Sequence, residues 1–167
     1  MKSSGEGWLP INGAPIGLVA WYAPDGPVVM PAAWLAVVNG PSPELRAGCA
    51  GRVPGRQAFP AEADFSVNIP MDPREPGVDR LFARATAAAP VTIDDPGCVI
   101  PARTVNAPLV AGCAVQIECR FGRLTTGGWD AEMVGEIVLL HRGGLYLSPA
   151  AHPDFCALQP LRSRFPS

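Results

Sequence analysis

The stretch AVQIECRFGRL, residues 114–124, sets Val115, Ile117, Cys119 and Phe121 against Gln116, Glu118 and Arg120 in strict alternation. A period of two residues marks a strand with one face on a core. Close behind, EMVGEIVLLHRGGLYL (132–147) reads as a second long strand, broken at Gly143-Gly144 before a short return strand. Between the two, GWD (128–130) reads as a hairpin tip, where an exposed turn is the ordinary explanation of its aromatic and acid.

Upstream, APIGLVAWY (14–22) and PVVMPAAWLAVV (27–38) form a hairpin across APDG, with Asp25 and Gly26 supplying residues that tolerate positive φ. PELRAGCA (43–50) suits a third strand and RQAFPAEA (56–63) a short helical turn. In DFSVNIP (64–70), Phe65, Val67 and Ile69 alternate with Ser66 and Asn68, and Pro70 ends the strand because it cannot donate to a ladder. Asn68 shares the polar side with Ser66, which fits the ordering of a loop or a subunit contact better than contact with a ligand.

EPGVDRLFARATAAA (75–89) places Val78, Leu81, Phe82 and Ala85 on one helical face. Residues 91–112 read as loop, with VNAPLVAG as a brief strand. Twenty prolines and 18 glycines leave little room for longer helices. Six or seven antiparallel strands with one or two short helices imply a mainly β fold, a closed or nearly closed barrel, as a single domain over 1–167.

At 48% hydrophobic and 17% charged, the chain is too apolar for disorder. A formal charge of −2 supplies no field for nucleic acid. MKSSGEGWLP lacks a signal peptide's apolar run, and no stretch approaches the ~20 apolar residues of a membrane span. A soluble, cytoplasmic protein without nucleic-acid or membrane partners is expected. The five cysteines, Cys49, Cys98, Cys113, Cys119 and Cys156, are odd in number and lack C-x-x-C spacing, so they read as reduced, buried and not part of a zinc site.

Familiar catalytic and cofactor signatures are missing. His152 and Cys156 make an H-x-x-x-C pair with no second pair to complete a metal site. No G-x-S-x-G, G-x-G-x-x-G or Walker-type loop occurs. AGCAGRVPGRQ (47–57) is different: its glycines let backbone N–H groups approach an anion, and Arg52 and Arg56 offer planar donors for a phosphate, although a solvated loop explains the same residues. MPAAWL (30–35) sets small residues beside Trp34, as a core tryptophan or as the wall of a pocket for a flat ligand.

Taken in order, PIGLVAWYAPDGPVVMPAAWLAVV, the Gly/Arg loop, EADFSVNIP, APLVAGCAVQIECRF and EMVGEIVLLHRGG resemble the flavin reductase-like family with the FMN-binding split-barrel fold, which includes flavoredoxin-like proteins. The resemblance covers about residues 14–144. Its marks are F-x-V-N-I-P, the I-E-C of Ile117–Cys119, and the V-G-E-I-V of Val134–Val138. It implies a six-stranded Greek-key split barrel, a homodimer with FMN near the subunit boundary, and electron transfer from NAD(P)H through FMN to an acceptor.

The same resemblance places Met30, Pro31, Ala32, Ala33 and Trp34 along the isoalloxazine, Cys49, Ala50, Gly51 and Arg52 near the ring and ribityl phosphate, and Arg56 on the phosphate. That agrees with the independent reading of the Gly/Arg loop. Three departures bear on the nicotinamide step: Val28 and Val29 where many relatives carry Asn, GGWDAEM where many carry His, and a loop without its frequent Thr. A non-enzymatic FMN electron carrier and a flavin-free binding barrel are the alternatives, and no catalytic side chain is required by any of them.

Overall fold

The computed structural model describes residues 17–38, 40–49, 62–70, 80–81, 83–84, 90–127, 130–142 and 145–147. The first hairpin joins β1 (Gly17–Ala23) to β2 (Gly26–Val38) in continuous register from Gly17↔Ala32 to Ala23↔Gly26. Its turn needs positive φ only at Gly26, at +127°, where a side chain would be strained. Then follow β3 (Glu44–Cys49), β4 (Phe65–Pro70), β5 (Val91–Thr92), β6 (Val99–Pro101), β7 (Pro108–Val110), β8 (Cys113–Gly127), β9 (Asp130–Arg142) and β10 (Leu145–Leu147).

Six of these strands close a ring in the order β1-β4-β8-β9-β3-β2, every neighbour antiparallel, with β2 returning to β1. The expected mainly β barrel and its six strands are therefore present. Closure pairs strand edges that would otherwise be open to other chains. β2 makes the join because it is long: residues 26–32 pair with β1 and residues 32–38 with β3. β3 and β4 follow one another in sequence but are not neighbours in the ring, which is the Greek-key feature of the order.

Alternation sorts the side chains into two apolar layers. Val19, Trp21, Met30, Leu45, Phe65, Val67, Ile117, Cys119, Ile137 and Leu140 fill the inside of the ring. Leu18, Ala20 and Val29 face outward, yet they are buried against Leu81, Val91, Ile93 and Val110. β1 is thus buried on both faces, and residues 80–81 and 83–84, helical as expected, contribute Leu81 to that outer layer. Val78, Phe82 and Ala85 lie outside the described residues, as do residues 56–61 of the helical turn expected over 56–63, whose described end at 62–63 is not helical.

The region read as loop, 91–112, holds three short strands and a 3-10 turn at Pro96–Cys98 capped by the Asp95 carboxylate. Strands of two or three residues cannot show a period, so only their tertiary partners define them. β6 and β7 make a separate two-stranded ribbon, and VNAPLVAG contains β7 as expected.

Two of the sequence marks meet inside the barrel. A Cβ added to Gly135 would lie 2.7 Å from the Phe65 ring, so the glycine of V-G-E-I-V makes room for the aromatic of F-x-V-N-I-P. Cys119, from I-E-C, pairs directly with Phe65 and is fully buried; burial, with Glu118 and Asp64 nearby, pushes its thiol well above the ordinary range. It is a packing residue, as free cysteines usually are.

Candidate functional site

The outward polar side chains of β4 and β8 clasp the segment that carries β7. Ser66 Oγ donates to the Pro108 carbonyl. Asn68 Nδ2 donates to the Leu18 carbonyl at 3.2 Å and to Ser66 Oγ at 2.8 Å, while its Oδ1 accepts from Val110 N–H at 2.9 Å. Gln116 Nε2 donates to the Val110 carbonyl at 2.7 Å. Asn68 is fully buried with donors and acceptors matched, so it orders a loop, the role its position in the sequence suggested.

Glu118 is the other anchor. Its carboxylate accepts from Arg103 N–H at 2.7 Å, from Thr104 N–H at 2.8 Å and from the Thr104 hydroxyl, and it lies 2.6 Å from His141 Nε2. Burial pushes its pKa up, but the Thr104 hydroxyl, Arg103 N–H, His141 and Thr104 N–H together outweigh burial and hold it below the ordinary value. At the entry to β4, Asp64 accepts from Phe121 N–H at 3.1 Å and Asn106 N–H at 3.4 Å. Period-two reading put Glu118 on the polar side correctly, but nothing in the sequence showed that the 103–110 segment would cover that side.

Of the residues expected to hold a ligand, those described lie on the paired strands β2 and β3. Ala32 pairs with Cys49 and Trp34 with Gly48, leaving Ala33 as the extra residue of a β-bulge. Before the bulge Val28, Met30 and Ala32 point inward; after it Leu35 does, so Trp34 faces outward. Strict alternation would have carried Trp34 into the core. The indole instead lies over Gly48, where an added Cβ would come within 1.9 Å of its Nε1, and Trp34 is partly exposed.

Met30 and Ala32 are fully buried in the core, and Pro31 is buried on the opposite side of β2. Near a ligand, Met30 and Ala32 have only backbone to offer, and Trp34 is the side chain turned outward. Ala33 and Cys49 have a strand position, but their side chains lie outside the described residues, as do Ala50, Gly51, Arg52 and Arg56 entirely. His152 and Cys156 are also outside. Of the hairpin tip expected at 128–130, Asp130 opens β9 opposite Gly127, while Gly128 and Trp129 lie outside the described residues. The described part of this region is an outward indole beside a bulged backbone.

No protein-family model matches the chain, and no curated protein matches it in sequence. Solved structures do. Flavoredoxin from Methanosarcina acetivorans aligns with a TM-score of 0.61 at 22% identity, over 87% of this chain and 80% of that one. The NADH:FAD oxidoreductase SgcE6 of Streptomyces globisporus C-1027 aligns with a TM-score of 0.58 at 21% identity, over 81% and 85%. Flavoredoxin of Desulfovibrio vulgaris (Miyazaki F) gives 0.58 at 19%, over 85% and 76%. The chain has the fold shared by flavin reductases and flavoredoxins.

Proposed function

We propose that this chain is an FMN-binding, flavin reductase-like oxidoreductase that passes electrons from NAD(P)H to an acceptor. The observation that carries the reading is the bulge at Ala33, which turns Trp34 out of the core beside the Ala32–Cys49 pair in a barrel of this fold. Bulges often re-aim a side chain next to a site. The shared fold supports the reading without supplying it, since one fold serves many functions. SgcE6 has been solved in complex with NAD and FAD fragments, which favours a nicotinamide donor and leaves open FAD in place of FMN.

In this reading FMN, when bound, supplies the hydride acceptance and onward electron transfer. Trp34 walls one side of the ring. The backbone at Ala33, taken out of the ladder by the bulge, and the chain at 49–52 would offer hydrogen bonds to the ring. Arg52 and Arg56 hold the phosphate through paired donors. Hydride transfer itself requires no side-chain acid or base, in keeping with a sequence without a catalytic constellation. The site lies outside the filled barrel, where a second copy of the chain can complete it, and a cytoplasmic homodimer is the assembly we infer. The flavoredoxin likeness favours a second reading, an electron carrier without reductase activity.

Visible spectra of purified protein with and without FMN, followed by anaerobic mixing with NADH or NADPH, test both readings. Bound flavin that bleaches on mixing is the expected result. Bound flavin unresponsive to nicotinamide selects the carrier, and absence of flavin binding removes both.

A further inference from the structure

The ribbon of β6 and β7 is a sheet of its own, and among the described residues no backbone hydrogen bond joins it to the ring. Two-stranded ribbons are marginal alone, so this one keeps its place through what it touches. Barrel side chains supply the polar hold. Glu118 accepts from the N–H groups of Arg103 and Thr104 and from the Thr104 hydroxyl, Asp64 from Asn106 N–H and Asn68 from Val110 N–H, while Ser66 and Gln116 donate to the Pro108 and Val110 carbonyls. On the apolar side, Val99 and Val110 join the outer layer that contains Leu18, Ala20 and Val29.

Two turns bound the ribbon. Before β6, the 3-10 turn at Pro96–Cys98 is capped by Asp95 and closed by Cys98 N–H on the Asp95 carbonyl at 3.0 Å. After β7, Ala111 and Gly112 turn the chain into β8, with Gly112 at φ +83°. Between these turns the ribbon is braced internally, by Ala111 N–H on the Cys98 carbonyl at 2.9 Å and Ala102 N–H on the Ala107 carbonyl at 3.0 Å. A segment braced within itself, bounded by turns and tied to its neighbour through side chains has the make-up of a cooperative opening unit.

We propose that residues 98–110 are a strap that lifts off the closed barrel as one unit, with Glu118 as its catch. Glu118 is fully buried and takes donors from two successive strap residues and from His141 of β9, so its loss frees one end of the strap. The ring stays intact during the lift because none of its ladders passes through the strap. Lifting takes Val99 and Val110 out of the layer that contains Val29 of β2. Pro31, cross-strand from Leu18, is buried on that same side of β2, two residues before the bulge at Ala33. The strap thus backs the stretch of β2 that leads to Trp34, and its opening lets that stretch loosen while the barrel stays closed.

Amide hydrogen exchange of the full-length protein, resolved by NMR at neutral pH, is compared in wild type, Glu118→Gln, Gln116→Ala and the ring-core variant Ile137→Val. In wild type the amides of Arg103, Thr104 and Val110 are expected to share one opening, more frequent than that of the ring amides. Glu118→Gln should speed Val110 about tenfold or more, although Asn68 holds that N–H, and Gln116→Ala should speed Arg103 and Thr104, which Glu118 holds. Gln116 is only half-buried, so its variant decides the matter if Glu118→Gln does not fold. Ile137→Val should speed the ring amides and leave those of the strap unchanged, because the ring is equally intact before and after the lift. Speeding confined to the amides nearest each altered side chain means separate fraying contacts and overturns the proposal. So does a strap that exchanges at the ring's own rate in wild type, or that speeds with the ring in Ile137→Val, since it then opens only on global unfolding.

Discussion

Glu118 shows how one residue can be mistaken for surface. It alternates with buried neighbours as a solvent-facing strand residue does, yet it is fully buried and accepts from Arg103, Thr104 and His141. Glu118→Gln puts an amide where donors converge and is expected to destabilise the fold by about 2–3 kcal/mol, read from urea unfolding. Its pKa is depressed in the folded state, so the stabilisation is present above the ordinary value of 4.5 and is lost as pH falls through the lower folded value. Wild type should lose stability on acidification below that point more steeply than the variant. Equal slopes would show that the carboxylate is not held ionised by its partners.

At the scale of elements, the bulge and the glycine act together. Ala33 shifts the phase of β2 and Gly48 on β3 clears the space, so the indole lies across two strands. Gly48→Ala drives a methyl into the ring and is expected to cost about 1–3 kcal/mol and to change tryptophan fluorescence. In a Trp34→Ala background the same change should cost far less, because the obstructing ring is gone. A double-mutant cycle with no coupling would contradict the placement of the indole. The β6–β7 ribbon obeys a related logic: side chains of β4 and β8, rather than a shared ladder, tie its β7 segment to the barrel.

For the whole molecule, ring closure puts the larger core inside, and among the candidate ligand contacts with described side chains Trp34 is the one turned outward and partly exposed. A flavin held on an outer face is exposed unless something covers it, which is the physical case for a second copy. Gel filtration with FMN bound is expected to give a dimer. A monomer retaining FMN at the same affinity would remove the subunit-boundary site. Among the described residues no helix is long and apolar enough to cross a membrane.

Periodicity in the sequence determined the long strands, the first hairpin and the mainly β class, because alternation reflects a core on one side and needs no knowledge of the partner strand. The three motif marks foretold the barrel for a similar reason: Phe65, Gly135 and Cys119 pack together, and Asn68 and Glu118 bind backbone, so they record folding constraints more than chemistry. Tertiary structure alone decided two things: that a ribbon covers the polar side of β4 and β8, and that Trp34 leaves the core. Each depends on a register or a bulge between strands distant in sequence, and a one-residue shift there turns a side chain from one face to the other.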